Sequence, residues 1–138
     1  MTQDLSQMNG VTLAYIGDAV IELLIREALV ALGVRNTGTF SAIAQKLVCA
    51  PTQSAIAEEL LPLLTEEEAS AYRLGRNHHI TGKPKKASVA EYSRATGLEA
   101  IFGYLHLTGN TERLRELFRT AYEKRLLALH EQIQYSSV

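Results

Sequence analysis

Apolar residues recur along this chain at spacings of three and four positions, which is the repeat of an amphipathic α-helix and not of a β-strand. The pattern predicts an all-α fold of about six helices, in a single domain over residues 1–138 with its core between about residues 8 and 133. The predicted helices run from Val11 to Leu32, from Phe40 to Val48, from Thr52 to Leu61, from Thr65 toward Arg76, from Ser88 to a stop at Gly109, and from about Thr111 to Ile133.

Local signals mark the ends of several of these helices. The spacings of Thr65–Glu68 and Ser88–Glu91 are those of capping boxes, which start the fourth and fifth helices. Gly33 and Gly109 stand where a C-terminal glycine ends a helix. The side chains expected to face the core from the first and fifth helices are Leu13, Ile16, Val20, Leu23, Leu24, Leu32, Leu98, Ile101, Phe102 and Leu105.

Composition narrows the class of protein. Hydrophobic residues make up 46% of the chain, which is enough for a buried core and argues against a disordered protein. The single Cys49 excludes an internal disulfide framework and every multi-cysteine zinc module, and we expect it to be a small core residue. No apolar run approaches the length that spans a bilayer, and residues 1–9 are polar, so we do not expect them to act as a secretory signal. We therefore expect a cytoplasmic protein without a membrane segment.

Positive charge is concentrated in residues 73–94. This segment has six basic residues against one acidic residue, a local charge of +5 in a chain whose formal charge is −1. Clustered basic residues displace counterions from a phosphate backbone, so the segment is a candidate polyanion site. A solvated face with a lysine-rich loop explains the same composition. The candidate phosphate-binding residues are Arg73, Arg76, Asn77, Lys83, Lys85, Lys86 and Arg94, with His78 and His79 either contacting phosphate or solvent-exposed.

Two carboxylates, Asp18 and Glu99, occur inside strongly apolar helical segments, where a carboxylate rarely settles without a partner. Small residues flank both of them, including Gly17 beside Asp18 and Gly103 four residues after Glu99, and such residues allow close helix packing. If the two helices cross on these faces, the carboxylates converge and repel each other unless a cation lies between them. Oxygen ligands with open positions favour Mg²⁺ or Mn²⁺.

An alternative interpretation of the two acids needs no metal. In it, Asp18 is a helix-embedded acid paired with Arg26 or Arg94, and Glu99 is exposed. Glu22, one turn after Asp18, is either a further acid of the metal site or an exposed or ion-paired residue. The acidic residues Glu58, Glu59, Glu66, Glu67 and Glu68 are expected to form a solvated surface.

Two segments of the chain resemble the carboxylate-bearing helices of the ribonuclease III fold. They are the signature-like stretch from Leu13 to Ala19 and the stretch from Thr96 to Tyr104. Together with the segments 73–77 and 91–96, they are most similar to the Mini-III ribonucleases, bacterial members that consist of the catalytic domain alone. The resemblance covers most of residues 8 to about 130.

The resemblance implies a homodimeric, Mg²⁺-dependent endoribonuclease, with Mn²⁺ as a substitute, that cuts double-stranded RNA in the maturation of the 23S ribosomal RNA precursor. It places Asp18 on the catalytic, metal-binding aspartate of the family and Glu99 on its metal-binding glutamate. A two-fold dimer with one centre per protomer can cut each strand of an antiparallel duplex once. Without a separate RNA-binding domain, the basic segment would grip the duplex, and a ribosomal protein could supply selectivity.

The chain departs from the full-length enzymes at three acidic positions, which are held here by Val11, Ala14 and Thr96. This departure favours one well-bound ion, completed by water, the Thr96 hydroxyl and the scissile phosphate. It also motivates a different class of function, a catalytically silent RNA-binding protein of ribosome assembly. A helical protein-interaction module is a third class, although it leaves the charge of +5 unexplained.

Overall fold

The computed structural model describes residues 7–78 and 88–136, and all its regular elements there are helices. The six α-helices are α1 (Gly10–Ala31), α2 (Thr37–Val48), α3 (Ala50–Leu60), α4 (Glu66–Arg76), α5 (Val89–Leu107) and α6 (Thr111–Ser136), with a 3₁₀ turn at Leu61–Leu63. The predicted all-α fold of about six helices is therefore confirmed. Within the described ranges, none of these helices combines the length and apolar character that a bilayer crossing demands.

The ends of the helices follow the local signals. Both predicted capping boxes form. The Thr65 and Ser88 side chains each accept a hydrogen bond from the backbone N–H of the third helical residue, and the Glu side chain at that position accepts one from the backbone N–H of the cap residue. Gly33 and Gly109 adopt positive φ of 95° and 75°, which lets the chain leave α1 and α5. The predicted start of α2 at Phe40 is wrong by three residues, because Asn36 caps a helix that already begins at Thr37.

Helix α5 occupies the centre of the molecule and packs against α1, α3 and α4. Its predicted core residues Leu98, Ile101, Phe102 and Leu105 are all buried. The prediction for Leu23 is wrong, because this side chain of α1 is 58% exposed. The prediction for Cys49 is also wrong, because it is exposed at the junction of α2 and α3.

The expectation of a fully solvated acidic surface fails at Glu68. This residue is 2% exposed and forms an ion pair with Arg113 of α6 at 2.9 Å, while Arg113 also donates to the Leu63 carbonyl. Burial raises the pKa of Glu68, but hydrogen bonds from Arg113 and Thr65 outweigh it and hold that pKa below its ordinary value. The ion pair joins the start of α4 to the start of α6.

We expect Glu68→Gln to lower the free energy of unfolding by about 2 kcal/mol at neutral pH, because a charged hydrogen-bond acceptor of Arg113 is lost. The folded pKa of Glu68 lies below its unfolded value of about 4.3, so its contribution is present at neutral pH and disappears as the pH falls below about 4. Urea denaturation of both proteins at pH 7 and pH 3 measures this. A difference in stability that persists unchanged at pH 3 contradicts the assignment.

Candidate carboxylate site

Helices α1 and α5 cross in direct backbone contact. A Cβ added to Gly17 would overlap the Glu99 carbonyl oxygen and lie 2.9 Å from the Gly103 backbone nitrogen. A Cβ added to Gly103 would overlap the Leu13 carbonyl oxygen. The two helices can approach this closely only because neither position carries a side chain. The small residues noted in the sequence thus serve the crossing, and the crossing brings the two acidic positions together.

The side chains of Asp18 and Glu99 meet within hydrogen-bonding reach at this crossing. Asp18 is exposed, whereas Glu99 is half-buried between the helices. Burial raises the pKa of Glu99 to about 8, with further contributions from the negative charge of Asp18 and the hydrogen bond between the two carboxyl groups. The pair can therefore hold a single proton between its members near neutral pH, which is the usual sign of two carboxyl groups at close range.

The alternative pairing of Asp18 with an arginine does not occur in the structure. Arg26 instead forms an ion pair with Glu22 at 3.1 Å, so Glu22 has the ion-paired role considered for it. Arg94 donates to the buried Ser54 hydroxyl at 2.6 Å and lies 3.5 Å from Glu58. Both candidate counter-ions are thus engaged elsewhere.

The donor set of the pair suits a divalent cation of the Mg²⁺ type. Among the described residues, no lysine or arginine forms an ion pair with Asp18 or Glu99, and no third His, Cys, Asp or Glu joins them in a metal-binding group. Two carboxylates without a protein cation leave a concentrated negative charge that a hard cation neutralises. Mg²⁺ is commonly held by one or two carboxylates and keeps its remaining positions for water and phosphate.

The Thr96 hydroxyl, considered as a further ligand, donates to the Tyr92 carbonyl at 2.9 Å. Its oxygen lies one helical turn before Glu99 on α5. The prediction that it completes an ion's coordination sphere stays a prediction. His78 is exposed at the end of the described part of this region.

Basic side chains lie at the C-terminal end of α4, close to the carboxylates. Arg73, Arg76 and Asn77 are exposed there, and the Arg76 guanidinium lies over the Tyr72 ring at 5.6 Å. At Gly75, α4 approaches α5 so closely that an added Cβ would lie 2.6 Å from the Thr96 carbonyl oxygen. The basic end of α4 therefore sits about one helical turn of α5 away from Glu99.

The remaining candidate RNA-binding residues are either engaged in contacts within the protein or lie outside the described residues. Arg94 is half-buried and already bonded to Ser54 and Glu58, so it is less available to an external phosphate than Arg73 or Arg76. Lys83, Lys85 and Lys86 lie outside the described residues, as does His79.

Sequence reasoning missed two buried polar residues beside the site. Gln53 of α3 and Tyr122 of α6 are 3% and 0% exposed, and the charges of Glu99 and Asp18 act on the Tyr122 hydroxyl. Helical periodicity places Tyr122 one residue from the core position Ala121, but it carries no information on which hydroxyl comes near a residue of another helix. The one feature of the sequence that could have indicated these residues is a tyrosine and a glutamine placed on otherwise apolar helix faces.

Comparison with protein families matches residues 11–110 of the chain to the ribonuclease III domain. The matched segment contains both carboxylates, the glycines of the α1–α5 crossing and the basic end of α4. Members of this family generally use a divalent metal ion.

Several curated proteins named Mini-ribonuclease 3 are similar to the chain over most of its length. The protein from Enterococcus faecalis is 41% identical over 124 residues, covering 88% of this chain and 94% of its own. The protein from Symbiobacterium thermophilum is 44% identical over 110 residues, covering 80% and 85%. A crystal structure of a protein from Fusobacterium nucleatum superposes with a TM-score of 0.79 at 30% identity, covering 88% of this chain and 99% of that one.

Proposed function

This chain belongs to the Mini-ribonuclease 3 branch of the ribonuclease III family and is an endoribonuclease, and we propose that it cuts double-stranded RNA with Mg²⁺ held by Asp18 and Glu99. The observation that carries the proposal is the meeting of these two carboxyl groups at a glycine crossing, with no arginine or lysine among the described residues paired to either. Mn²⁺ has similar ligand preferences and serves as a substitute.

Asp18 and Glu99 have different roles at this site. A divalent ion bound here supplies a polarised water and neutralises charge that develops on the phosphate. Asp18, exposed at the crossing, would hold the ion and orient the attacking water, and the less exposed Glu99 would hold the same ion from α5. The close backbone contact between α1 and α5 holds the two helix segments that carry these carboxylates next to each other.

The duplex binds across the basic end of α4. A-form RNA presents phosphates and 2′-hydroxyl groups in a regular shape, and Arg73, Arg76 and Asn77 offer exposed donors beside the carboxylates. Arg94 and the lysines of the basic segment, Lys83, Lys85 and Lys86, complete the proposed phosphate-binding surface.

We expect the double variant Arg73→Ala/Arg76→Ala to bind duplex RNA more weakly and with a salt dependence whose slope is smaller by roughly 2, because each phosphate contact releases about one counterion. Fluorescence anisotropy with a long RNA duplex, in the absence of divalent metal and over a range of KCl concentrations, measures both quantities.

The matched control for this experiment is Arg115→Ala/Arg119→Ala, which removes two exposed arginines from α6 instead of α4. Its slope should equal that of the unaltered protein. Equal slopes for all three proteins would remove α4 from the RNA interface.

The active form is proposed to be a homodimer. Val11 and Tyr15 are 46% and 78% exposed on α1, and Tyr15 lies three residues before Asp18, so an exposed apolar strip borders the carboxylate site. Exposed apolar strips of this kind mark association surfaces. Pairing two protomers along this strip would place two cutting centres on one duplex, and sedimentation equilibrium measures the mass.

The biological role we propose is maturation of the 23S ribosomal RNA precursor in the cytoplasm, with a ribosomal protein supplying selectivity. The direct test incubates the protein with duplex and single-stranded RNA, with Mg²⁺ and with chelator. Cleavage of the duplex only with Mg²⁺ supports the proposal. Tight binding without cleavage in any divalent metal would favour the catalytically silent RNA-binding protein instead.

A further inference from the structure

Two neighbouring polar groups lie fully inside the protein and take no part in the mechanism above, and one of them, the Tyr122 hydroxyl, lies within the electrostatic reach of Glu99. They are the Gln53 side-chain nitrogen on α3 and the Tyr122 hydroxyl on α6, with the two residues 3% and 0% exposed. Within the described part of the chain, neither atom has a hydrogen-bond partner, although the two side chains adjoin each other. Buried polar groups without partners are rare, so this pair needs an explanation.

The Tyr122 ring is held firmly in place. It stacks on Phe118 with ring centroids 5.1 Å apart and meets the edge of Phe102 at 6.5 Å. Phe102 follows Glu99 by three residues, so it lies on the next turn of the same side of α5. The aromatic contacts therefore fix the phenol beside the turn that carries Glu99.

The Tyr122 hydroxyl is suited to donate a hydrogen bond. A neutral phenol carries one O–H donor. Burial raises the pKa of Tyr122 and outweighs the opposing effect of the Gln53 side chain, while the negative charge of Glu99 raises that pKa further. A phenylalanine in its place would keep the aromatic contacts and avoid burying an unpartnered hydroxyl. Retaining the hydroxyl at a cost in stability is typical of a functional site.

We propose that Tyr122 is a positioning residue for Glu99: its hydroxyl donates a hydrogen bond to the Glu99 carboxylate when that carboxylate holds the divalent ion, and Gln53 orients the phenol. This inference rests on the proposed metal site. Groups that hydrogen-bond to a metal-binding side chain set its orientation and its strength as a ligand. Tyr122 itself touches neither metal nor RNA in this scheme.

The test compares Tyr122→Phe with the unaltered protein and with Tyr104→Phe. Tyr104 is a matched control because it is a partly buried tyrosine on α5 whose hydroxyl is influenced by Glu67 and Glu68 instead of the carboxylate pair. Loss of a hydrogen bond to a metal ligand typically weakens metal binding 10–100-fold, so we expect Tyr122→Phe to bind Mn²⁺ about 10-fold more weakly. Titration followed by the electron paramagnetic resonance signal of free Mn²⁺ measures this without RNA.

Three further readouts separate positioning from a structural role. We expect Tyr122→Phe to need a higher Mg²⁺ concentration for half-maximal cleavage, to bind duplex RNA normally without metal, and to unfold at the same or a higher temperature. Gln53→Met should have a smaller effect on Mn²⁺ binding and add little in the double variant, because both changes disturb one hydrogen bond.

Equal Mn²⁺ affinity for Tyr122→Phe, Tyr104→Phe and the unaltered protein overturns the inference and leaves the proposed function standing. A lower unfolding temperature with unchanged metal dependence overturns it as well, because Tyr122 is then structural. Absence of metal-dependent cleavage in the unaltered protein itself refutes the proposed function, and the positioning role falls with it.

Discussion

Asp18→Asn is expected to lose RNA cleavage by roughly 1000-fold or more, because an ion at this site contributes several kcal/mol to the transition state and each 1.4 kcal/mol is a factor of ten. The amide keeps the size of the side chain but not its charge, so the ion is held less firmly and the water is no longer oriented. Single-turnover cleavage of a long RNA duplex at saturating protein measures the chemical step.

The control for this variant is Glu22→Gln, the same change one helical turn along α1. Glu22 forms an ion pair with Arg26, and in the described part of the structure it takes no part in the Asp18–Glu99 pair, so cleavage should stay close to normal. Asp18→Asn should also bind duplex RNA and unfold at an undiminished temperature, because it removes a charge that repels Glu99. Cleavage by Asp18→Asn at the normal rate would refute the metal assignment.

Gly17→Ala is expected to lower the free energy of unfolding by about 3 kcal/mol or more, because the added methyl group would overlap the Glu99 carbonyl oxygen, a backbone atom that cannot turn aside. The variant relieves the overlap only by separating α1 from α5. Since each helix carries one carboxylate, cleavage should fall beyond what the loss of folded protein explains. Urea denaturation and cleavage per folded molecule measure the two effects.

Gly38→Ala is the matched control, because Gly38 is an exposed glycine of α2 whose added Cβ would meet only the end of the Asn36 side chain, at 3.0 Å. The Asn36 oxygen at that end also caps α2 by accepting from the Thr39 N–H, so a small shift of it weakens the cap, whereas alanine favours the helix. The two effects oppose each other, so we expect a change below about 1 kcal/mol. Equal stability losses for Gly17→Ala and Gly38→Ala would show that the α1–α5 crossing tolerates expansion.

The helices could be predicted from sequence because their signals are local. The capping boxes at Thr65 and Ser88 and the glycine at position 33 act within a few residues of the chain, and the structure shows each of them in use. The prediction for Leu23 is wrong because an apolar residue at the edge of a helical face can lie on either side of it. The prediction for Cys49 is wrong because this residue lies between α2 and α3, where helical periodicity carries no information about burial.

The site was only partly predictable. Asp18 and Glu99 drew attention because a carboxylate in an apolar helix is costly without a partner, and the nearby glycines suggested where the helices approach each other. No comparable feature of the sequence indicated which partners the other charged residues take. The pairing of Glu68 with Arg113 and the bonding of Arg94 to Ser54 link residues more than 35 positions apart, and no local rule connects them.

The sequence by itself determined the helical class, the capping boxes and glycine stops, the two candidate acids and the small residues beside them, since each depends on a side chain and its close neighbours along the chain. Only the tertiary structure decided that the two acids meet, that Arg26 and Arg94 are engaged elsewhere, and that the buried Tyr122 adjoins Gln53 within the electrostatic reach of Glu99. These relations depend on how the helices cross, and a crossing is set by packing between segments that are distant in the chain.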